Sequence, residues 1–211
     1  MNPLSVVERN AGGVETTRGI GAILLAGGRA TRVGGAAKPL FEVGGRTLMR
    51  TAVDAVRDAG ARPITVVGPV LDPGLPVDWV REDPPFGGPA AGIVAALESW
   101  RDDPAWTFLL ACDLARADLA VARLVADLTL VPAGTDGVCL ADASSRPQWL
   151  TGAYRTAALR DAASTLPSHG RNLPVRALLD DLAIAVVTAP DATDDVDTWE
   201  DLKRAKERFD G

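Results

Sequence analysis

A glycine-rich segment with three cationic side chains carries the clearest chemical signal in the sequence. It runs Leu25-Ala-Gly-Gly-Arg-Ala-Thr-Arg-Val-Gly-Gly-Ala-Ala-Lys38 and overlaps the end of a continuous apolar run, Gly21 to Ala26. Glycines directly after a buried strand let the backbone approach a phosphate chain and turn its N–H groups toward it. Arg29, Arg32 and Lys38 add positive charge to that cradle, and Lys38 is suited to stabilise charge on a reacting phosphorus. We therefore predict a phosphate-binding loop.

The order of the glycines excludes two common nucleotide-binding motifs. The segment lacks the GxxxxGK[ST] order of a Walker A loop and the GxGxxG order of a dinucleotide fingerprint. A plain glycine-rich turn with solvated cations is the structural alternative.

Aspartates follow two further predicted strands. Asp113 comes after the apolar run Trp106 to Ala111, and Asp195 and Asp197 follow the run Ala183 to Val187. Carboxylate oxygens are ligands that Mg²⁺ prefers. An aspartate at a strand end also commonly forms an Asx turn, and one before a helix favours the N-terminal end of the helix dipole. Metal binding and capping therefore both remain open for Asp195 and Asp197.

Short apolar runs alternate with amphipathic stretches along the whole chain, which predicts a βαβ architecture. We predict strands over residues 21–26, 63–67, 77–81, 106–111, 137–141, 148–154 and 183–187, and helices over 48–60, 90–100, 118–128, 156–166, 173–182 and 198–208. The expected fold is a single Rossmann-like three-layer α/β domain with a mostly parallel sheet. In such sheets ligands bind where the strands end, which is where the glycines and aspartates lie.

Length and composition fit one globular domain. The chain has 211 residues, of which we expect 1–18 to be a flexible lead-in and 19–211 to be the folded domain. No apolar run approaches the ~18 residues of a membrane span, and the first residues do not resemble a signal peptide, so we expect a cytoplasmic protein without a membrane partner. In that compartment Cys112 and Cys139 are expected to be reduced, buried thiols. A net charge of −6 argues against nucleic-acid binding.

Four motifs in order give the chain a family resemblance. LAGGRATRVGGAAK resembles the LAGGxSxRMGxDK signature of nucleotidyltransferases related to molybdenum cofactor guanylyltransferase. Gly88-Pro-Ala-Ala-Gly92 resembles the family's GPLAG segment, and Cys112-Asp113 its CD metal motif. Asp195-Val-Asp-Thr-Trp-Glu-Asp-Leu202 resembles its NxNTPEDL or DxDTPEDL ending. The match spans most of the chain and implies the nucleotide-diphospho-sugar transferase type of fold.

The resemblance also implies roles for particular residues. The nucleotide would be held by the start of the glycine-rich loop, namely Leu25, Ala26, Gly27, Gly28 and Arg29. Arg32 and Lys38 would contact its phosphates and, with Asp113, form the catalytic set. Asp113 would bind Mg²⁺, and Asp197, with or without Asp195, would complete the metal or acceptor end of the site. Gly88 would open a helix near the nucleotide, and Asp83 would help to recognise the base.

The activity implied is transfer of GMP from GTP to a molybdopterin-type cofactor, with Mg²⁺ as the metal and pyrophosphate as the product. The resemblance is compatible with a monomer or a weak homo-oligomer. The chain departs from the family at Ala37, usually an aspartate, at Leu114–Arg116, and at Arg146-Pro-Gln-Trp149, where relatives often carry a His-Pro pair. Three alternatives therefore stay open: use of CTP, a sugar or polyol phosphate as the acceptor, and a nucleotide-binding regulator without turnover.

Overall fold

The structure is a computed structural model that describes residues 19–27 and 37–210. The expected lead-in, residues 1–18, lies outside these residues, as do Gly28, Arg29 and Arg32 of the glycine-rich loop. Within the described part of the chain, no helix is long and apolar enough to cross a membrane.

The described residues form a seven-stranded sheet and a small hairpin. In chain order the strands are β1 (Ile20–Leu25), β2 (Glu42–Val43), β3 (Arg46–Thr47), β4 (Ile64–Val67), β5 (Asp78–Val80), β6 (Trp106–Ala111), β7 (Gly137–Ala141), β8 (Pro147–Arg155) and β9 (Ile184–Thr188). The sheet order is β5-β4-β1-β6-β8-β7-β9. Strand β8 runs antiparallel to both neighbours, and the other pairs in the sheet are parallel. The predicted mostly parallel sheet is therefore confirmed.

Helices cover both faces of the sheet. They are α1 (Leu48–Asp58), α2 (Pro89–Ser99), α3 (Ala117–Leu128), α4 (Thr156–Thr165) and α5 (Trp199–Asp210). Because side chains alternate along a strand, Ala22 and Leu24 of β1 share one core with α1 and α3, whereas Ile23 shares the other core with α2 and α4. Two cores on opposite sides of one sheet make the three layers that the sequence predicts.

A third, smaller core joins α5 to the hairpin. Val43 of β2, Leu202 of α5 and Val196 pack together there with Leu48 at the start of α1. This cluster holds the last segment of the chain against the stretch that follows Lys38, so that both reach the same side of the sheet.

Two local predictions need correction. The helix expected over residues 173–182 is only a short 3₁₀ helix, Val175–Leu178, because Pro174 fixes its start and the adjacent Leu178 and Leu179 are both drawn into the core. The hairpin of β2 and β3 was not predicted. Its turn is Gly44-Gly45, with φ of 58° and 73°. Two consecutive glycines between short strand-like stretches are a sequence signal for a hairpin turn.

Candidate active site

The end of β1 lies between the ends of its two parallel neighbours. The N–H of Ala26 donates to the carbonyl of Val67 at 2.9 Å, and the N–H of Cys112 donates to the carbonyl of Leu25 at 3.0 Å. Gly68, with φ of 144°, approaches the chain so closely that a Cβ there would lie 3.2 Å from the nitrogen of Gly27. The glycine-rich loop therefore leaves the sheet at its carboxyl edge, next to the strand end that carries Asp113.

The Gly88–Gly92 segment positions helix α2 beside this edge. Gly88 precedes the helix with φ of 93°, and Pro89 occupies its first turn, which suits proline because that N–H has no helical partner. A Cβ on Gly92 would lie 2.8 Å from Cγ1 of Val67. The second glycine thus lets the helix pack directly on β4, with its N-terminal end near the strand ends.

Asp83 lies in the loop between β5 and α2, and its side chain is exposed. The loop is braced on either side of it. Glu82 accepts a hydrogen bond from the N–H of Gly87 at 3.1 Å, and the guanidinium of Arg81 lies 5.2 Å from the ring centre of Phe86. Asp83 is therefore presented on an ordered loop at the same edge of the sheet, which is compatible with the expected contact to a base.

Asp113 and the segment 194–196 are joined through the backbone, although about 80 residues separate them in sequence. The N–H of Val196 donates to the carbonyl of Asp113 at 2.8 Å, and the N–H of Ala115 donates to the carbonyl of Asp194 at 3.0 Å. An isolated antiparallel bridge pairs Leu114 with Asp195. These contacts bring the carboxylates predicted at two distant strand ends to one place.

Lys38 joins the same cluster. Its ammonium forms an ion pair with the carboxylate of Asp197, and only 15% of the lysine side chain is exposed. The structure therefore brings together four of the predicted site residues, Lys38, Asp113, Asp195 and Asp197. Asp83 follows β5, and β4 and β1 lie between β5 and β6 in the sheet, so Asp83 is not part of this cluster.

Negative charge exceeds positive charge among these four groups, and the carboxyl pKa values respond to it. The pKa of Asp113 is raised to about 6, first by burial and then by the charge of Asp195, with Lys38 acting in the opposite direction. The pKa of Asp195 is also raised, first by burial and then by Asp197. The cluster thus favours an additional cation over another anion.

Thr198 and Asp201 form the cap at the start of the last helix. The cap of α5 is built by Thr198, whose Oγ1 accepts from the N–H of Asp201 at 3.2 Å, while Oδ2 of Asp201 accepts from the N–H of Thr198 at 2.7 Å. This reciprocal arrangement is a capping box. Thr198 and Asp201 thus supply the cap that the sequence left open for the two aspartates.

The carboxylates of this cluster fit a Mg²⁺ ion that is held partly by the protein and partly by the phosphates of a substrate. Among the described residues, no group of three or more histidine, cysteine, aspartate or glutamate side chains is arranged to hold a metal by itself. Mg²⁺ in phosphate-handling sites commonly takes one or two carboxylates, several waters and phosphate oxygens. Asp113 together with Asp195 or Asp197 supplies hard oxygen ligands with excess negative charge, which suits such a shared site.

A cavity of about 280 Å³ opens next to Asp113 and Asp195. Its wall includes the first half of β8, from Pro147 to Thr151, and Thr193. Gln148, Thr151 and Thr193 were not predicted as site residues from the sequence. These residues reach the site because β8 runs antiparallel to β6, so that its beginning lies beside the end of β6. The departure from the family pattern at Arg146–Trp149 was the feature of the sequence that could have indicated this part of the site.

The two cysteines match the sequence-based expectation. Cys112 and Cys139 are both buried and free, and burial raises the pKa of the Cys139 thiol to about 11. Buried, protonated thiols of this kind pack as small apolar side chains.

The fold is a three-layer α/β domain with a mostly parallel sheet, and Lys38, Asp113, Asp195 and Asp197 cluster at one of its edges. The model of the MobA-like NTP transferase domain matches residues 22–186, which is most of the chain. The chain belongs to this family of MobA-like NTP transferase domains.

Curated relatives share part of the sequence. A molybdenum cofactor guanylyltransferase from Rhodopseudomonas palustris strain HaA2 is 43% identical over 82 residues, which are 36% of this chain and 37% of that protein. A protein of the same name from strain BisB5 is 36% identical over 96 residues, covering 40% and 43% of the two chains. The chain thus spans less than half the length of the curated relatives it matches.

Solved structures share the fold over nearly the whole chain. A nucleotidyl transferase from Methanothermobacter thermautotroptrophicus superposes with a TM-score of 0.68 at 23% identity, covering 90% of this chain and 97% of the other. The molybdopterin-guanine dinucleotide biosynthesis protein A of Archaeoglobus fulgidus gives 0.65 at 18%, covering 89% and 97%. A 2-C-methyl-D-erythritol 4-phosphate cytidylyltransferase from Thermus thermophilus gives 0.60 at 16%, covering 90% and 98%.

Proposed function

We propose that this protein is a nucleotidyltransferase that transfers GMP from GTP to a molybdopterin-type cofactor and releases pyrophosphate. The observation that carries the proposal is the meeting of Asp113, Lys38 and Asp197 at the sheet edge where the glycine-rich loop begins. Membership of the MobA-like family supports the transfer reaction. The names of the curated relatives support guanylyl transfer in particular.

In the proposed mechanism the chain mainly binds and orients the two substrates. The nucleotide would contact the segment Leu25, Ala26, Gly27 and Gly28, with Asp83 recognising the base and Gly88 opening α2 near it, and Arg29 and Arg32 would supply further positive charge. Lys38, which is paired with Asp197, would stabilise charge on the α-phosphate. A phosphate on the acceptor is already a nucleophile at neutral pH, so no covalent enzyme intermediate is required.

Asp113 with Asp197, or with Asp195, would hold Mg²⁺ in this site. When bound, the metal would neutralise charge on the phosphate chain as pyrophosphate leaves. The surplus of carboxylates over ammonium groups around Asp113 supports this assignment, because it leaves room for a divalent cation.

We propose further that residues 19–211 form the working domain and that the protein acts in the cytoplasm as a monomer or weak homo-oligomer. Its other partners would be small molecules, since a net charge of −6 does not suit nucleic acid.

A cytidylyltransferase is the second candidate, because a solved structure with the same fold is named as one. A thermal-shift panel with GTP, CTP, ATP and UTP, each with Mg²⁺, separates the two. We expect GTP to give the largest stabilisation and CTP a clearly smaller one, since stabilisation by a ligand grows with its affinity for the folded state.

Acceptor-dependent pyrophosphate release tests the reaction itself. We expect release with GTP and a molybdopterin-type acceptor, and loss of release in the Asp113→Ala variant. Binding of GTP without turnover on any acceptor would instead favour the regulator that the altered Ala37 and Leu114–Arg116 positions allow. Selective stabilisation by NAD over all four nucleoside triphosphates would exclude the transferase.

A further inference from the structure

The cavity beside Asp113 and Asp195 has walls of unusual chemistry for a sugar-phosphate site. Apart from these two aspartates, its lining includes Gln148, Trp149, the hydroxyl-bearing Thr151 and Thr193, and apolar residues among which are Leu114 and Val175. Among the described residues, no lysine or arginine lines it. A lining that combines a tryptophan and aliphatic residues with neutral hydrogen-bonding residues suits a flat ring with polar edges.

The amide of Gln148 has its orientation set by Asp142. Nε2 of Gln148 donates a hydrogen bond to Oδ2 of Asp142 at 3.0 Å. An ionised carboxylate only accepts hydrogen bonds, so the amide nitrogen has to face Asp142. Oε1 of Gln148 is then the atom available to a ligand, and it is a pure acceptor.

Asp142 is itself fixed by the turn that joins β7 to β8. Its Oδ1 accepts from the N–H of Ser144 at 2.8 Å and from the N–H of Arg146 at 3.0 Å. These bonds lower the pKa of Asp142, the bond from Arg146 most strongly, so the carboxylate is ionised at neutral pH. Asp142, which does not line the cavity, thus determines that Gln148 offers a hydrogen-bond acceptor to a ligand there.

We propose that Gln148 is a specificity-determining residue for the acceptor, oriented by Asp142 so that Oε1 receives an N–H donor from the edge of a planar heterocycle packed near Trp149. The inference rests on the proposed function and deepens it: the acceptor body is a pterin-type ring and not a sugar or polyol. A polyol phosphate offers neither a flat face nor a fixed N–H edge. Asp142 is the positioning residue.

Asp142→Asn tests this with little change in shape. The asparagine keeps Oδ1, which holds the turn, but replaces Oδ2 by an NH₂ group that cannot accept from Gln148. The glutamine amide then has to turn, and it presents N–H groups to the cavity. We expect the KM for a pterin with a phosphorylated side chain to rise about tenfold or more, while kcat and the KM for GTP stay within about twofold.

The double variant Asp142→Asn with Gln148→Glu is the rescue. One carboxylate oxygen of the glutamate accepts from the new NH₂ group, and the other again offers an acceptor to the cavity. We expect its acceptor KM to return to within about threefold of the wild-type value. Asp72→Asn is the matched control, since Oδ1 of Asp72 also holds a turn, by accepting from the N–H of Gly74 at 3.0 Å, and it should leave both KM values unchanged.

Direct binding separates this inference from the proposed function. Isothermal titration compares the phosphorylated pterin with glycerol 3-phosphate, on the whole chain and without turnover. We expect the wild type to prefer the pterin and Asp142→Asn to lose about tenfold of that preference. Equal affinity in the two proteins, preference for glycerol 3-phosphate, or no pterin binding overturns the inference. Absence of pyrophosphate release alongside retained pterin preference would overturn only the proposed reaction.

Discussion

At the residue scale, opposing effects act on the pKa of Asp113. Burial and the charges of Asp195 and Asp197 disfavour its ionised form, while Lys38 favours it, and the net result is a pKa of about 6. The folded protein therefore binds a proton at Asp113 more tightly than the unfolded chain, in which an aspartate has an ordinary pKa of 3.8. By linkage this lowers stability as pH rises from about 4 through about 6, and the loss is complete only about one pH unit above the folded-state pKa.

Asp113→Asn should remove that pH-dependent loss. Without divalent metal at pH 7.5, we expect the variant to be more stable than the wild type by about 1 kcal/mol, allowing for partial exposure of the carboxylate, which corresponds to a Tm about 2–4 °C higher. Near pH 4 the two proteins should melt at similar temperatures. Melting curves in EDTA from pH 4 to pH 8 check this, and parallel pH dependence of the two proteins contradicts it.

Asp113→Asn should at the same time lose pyrophosphate release by about 100-fold or more, because an amide is a poorer Mg²⁺ ligand than a carboxylate. A variant that is more stable and less active identifies the carboxylate as functional, since a purely structural aspartate would not give that combination. Unchanged kcat at saturating Mg²⁺ would remove Asp113 from the metal site.

Lys38→Met should lower kcat by about 10²–10³-fold, because it removes a fixed cation from the position where charge develops on phosphorus. Lys203→Met is the matched control, since Lys203 lies on the exposed face of α5 with Glu207 at 3.8 Å, and an exposed pair of this kind contributes little. Steady-state kinetics with GTP and Mg²⁺ provide the measurement. Equal losses in both variants would argue that Lys38 is not a site residue.

The site residues themselves were largely predictable from sequence. Lys38, Asp113 and Asp197 were identified from motif spacing and strand ends, and the structure brings them into one cluster. Gln148 and Trp149 were not identified as site residues, because their position depends on β8 lying antiparallel beside β6. A run of alternating residues carries no information about strand direction.

At the scale of elements, the residues that cap α5 differ from the aspartate that pairs with Lys38. Thr198 and Asp201 satisfy the first N–H groups of the helix, and Asp197 instead pairs with Lys38. The sequence left capping and metal binding both open for Asp195 and Asp197, since an aspartate is itself a good cap.

Thr198→Ala should therefore destabilise the protein by about 1 kcal/mol through loss of the cap, seen as a Tm about 2–4 °C lower. Turnover at low temperature should be largely kept, because the substitution leaves Asp195 and Asp197 in place. Thr165→Ala is the control: its exposed hydroxyl bonds the carbonyl of Ala162 at the end of α4, and surface changes of this type cost less than about 0.5 kcal/mol. Equal Tm values for the two variants would contradict the assigned cap.

At the scale of the whole molecule, the first strand of the sheet begins at Ile20. We expect a variant that begins at Gly19, and so keeps all seven strands, to have a Tm within about 2 °C of that of the full chain and to retain GTP binding. Calorimetry with and without GTP provides the measurement. A large loss of either would move the domain boundary toward residue 1.

The amino-acid sequence by itself determined the alternation of strands and helices, the mostly parallel sheet, and the residues at the strand ends, because periodicity and glycine placement are local properties. Tertiary structure decided which ends meet. The backbone bonds between Asp113 and Val196 and between Ala115 and Asp194 join segments about 80 residues apart, and the reversal of β8 places Gln148 and Trp149 at the cavity beside Asp113 and Asp195. Such contacts depend on how the whole chain packs, so spacing along the sequence cannot specify them.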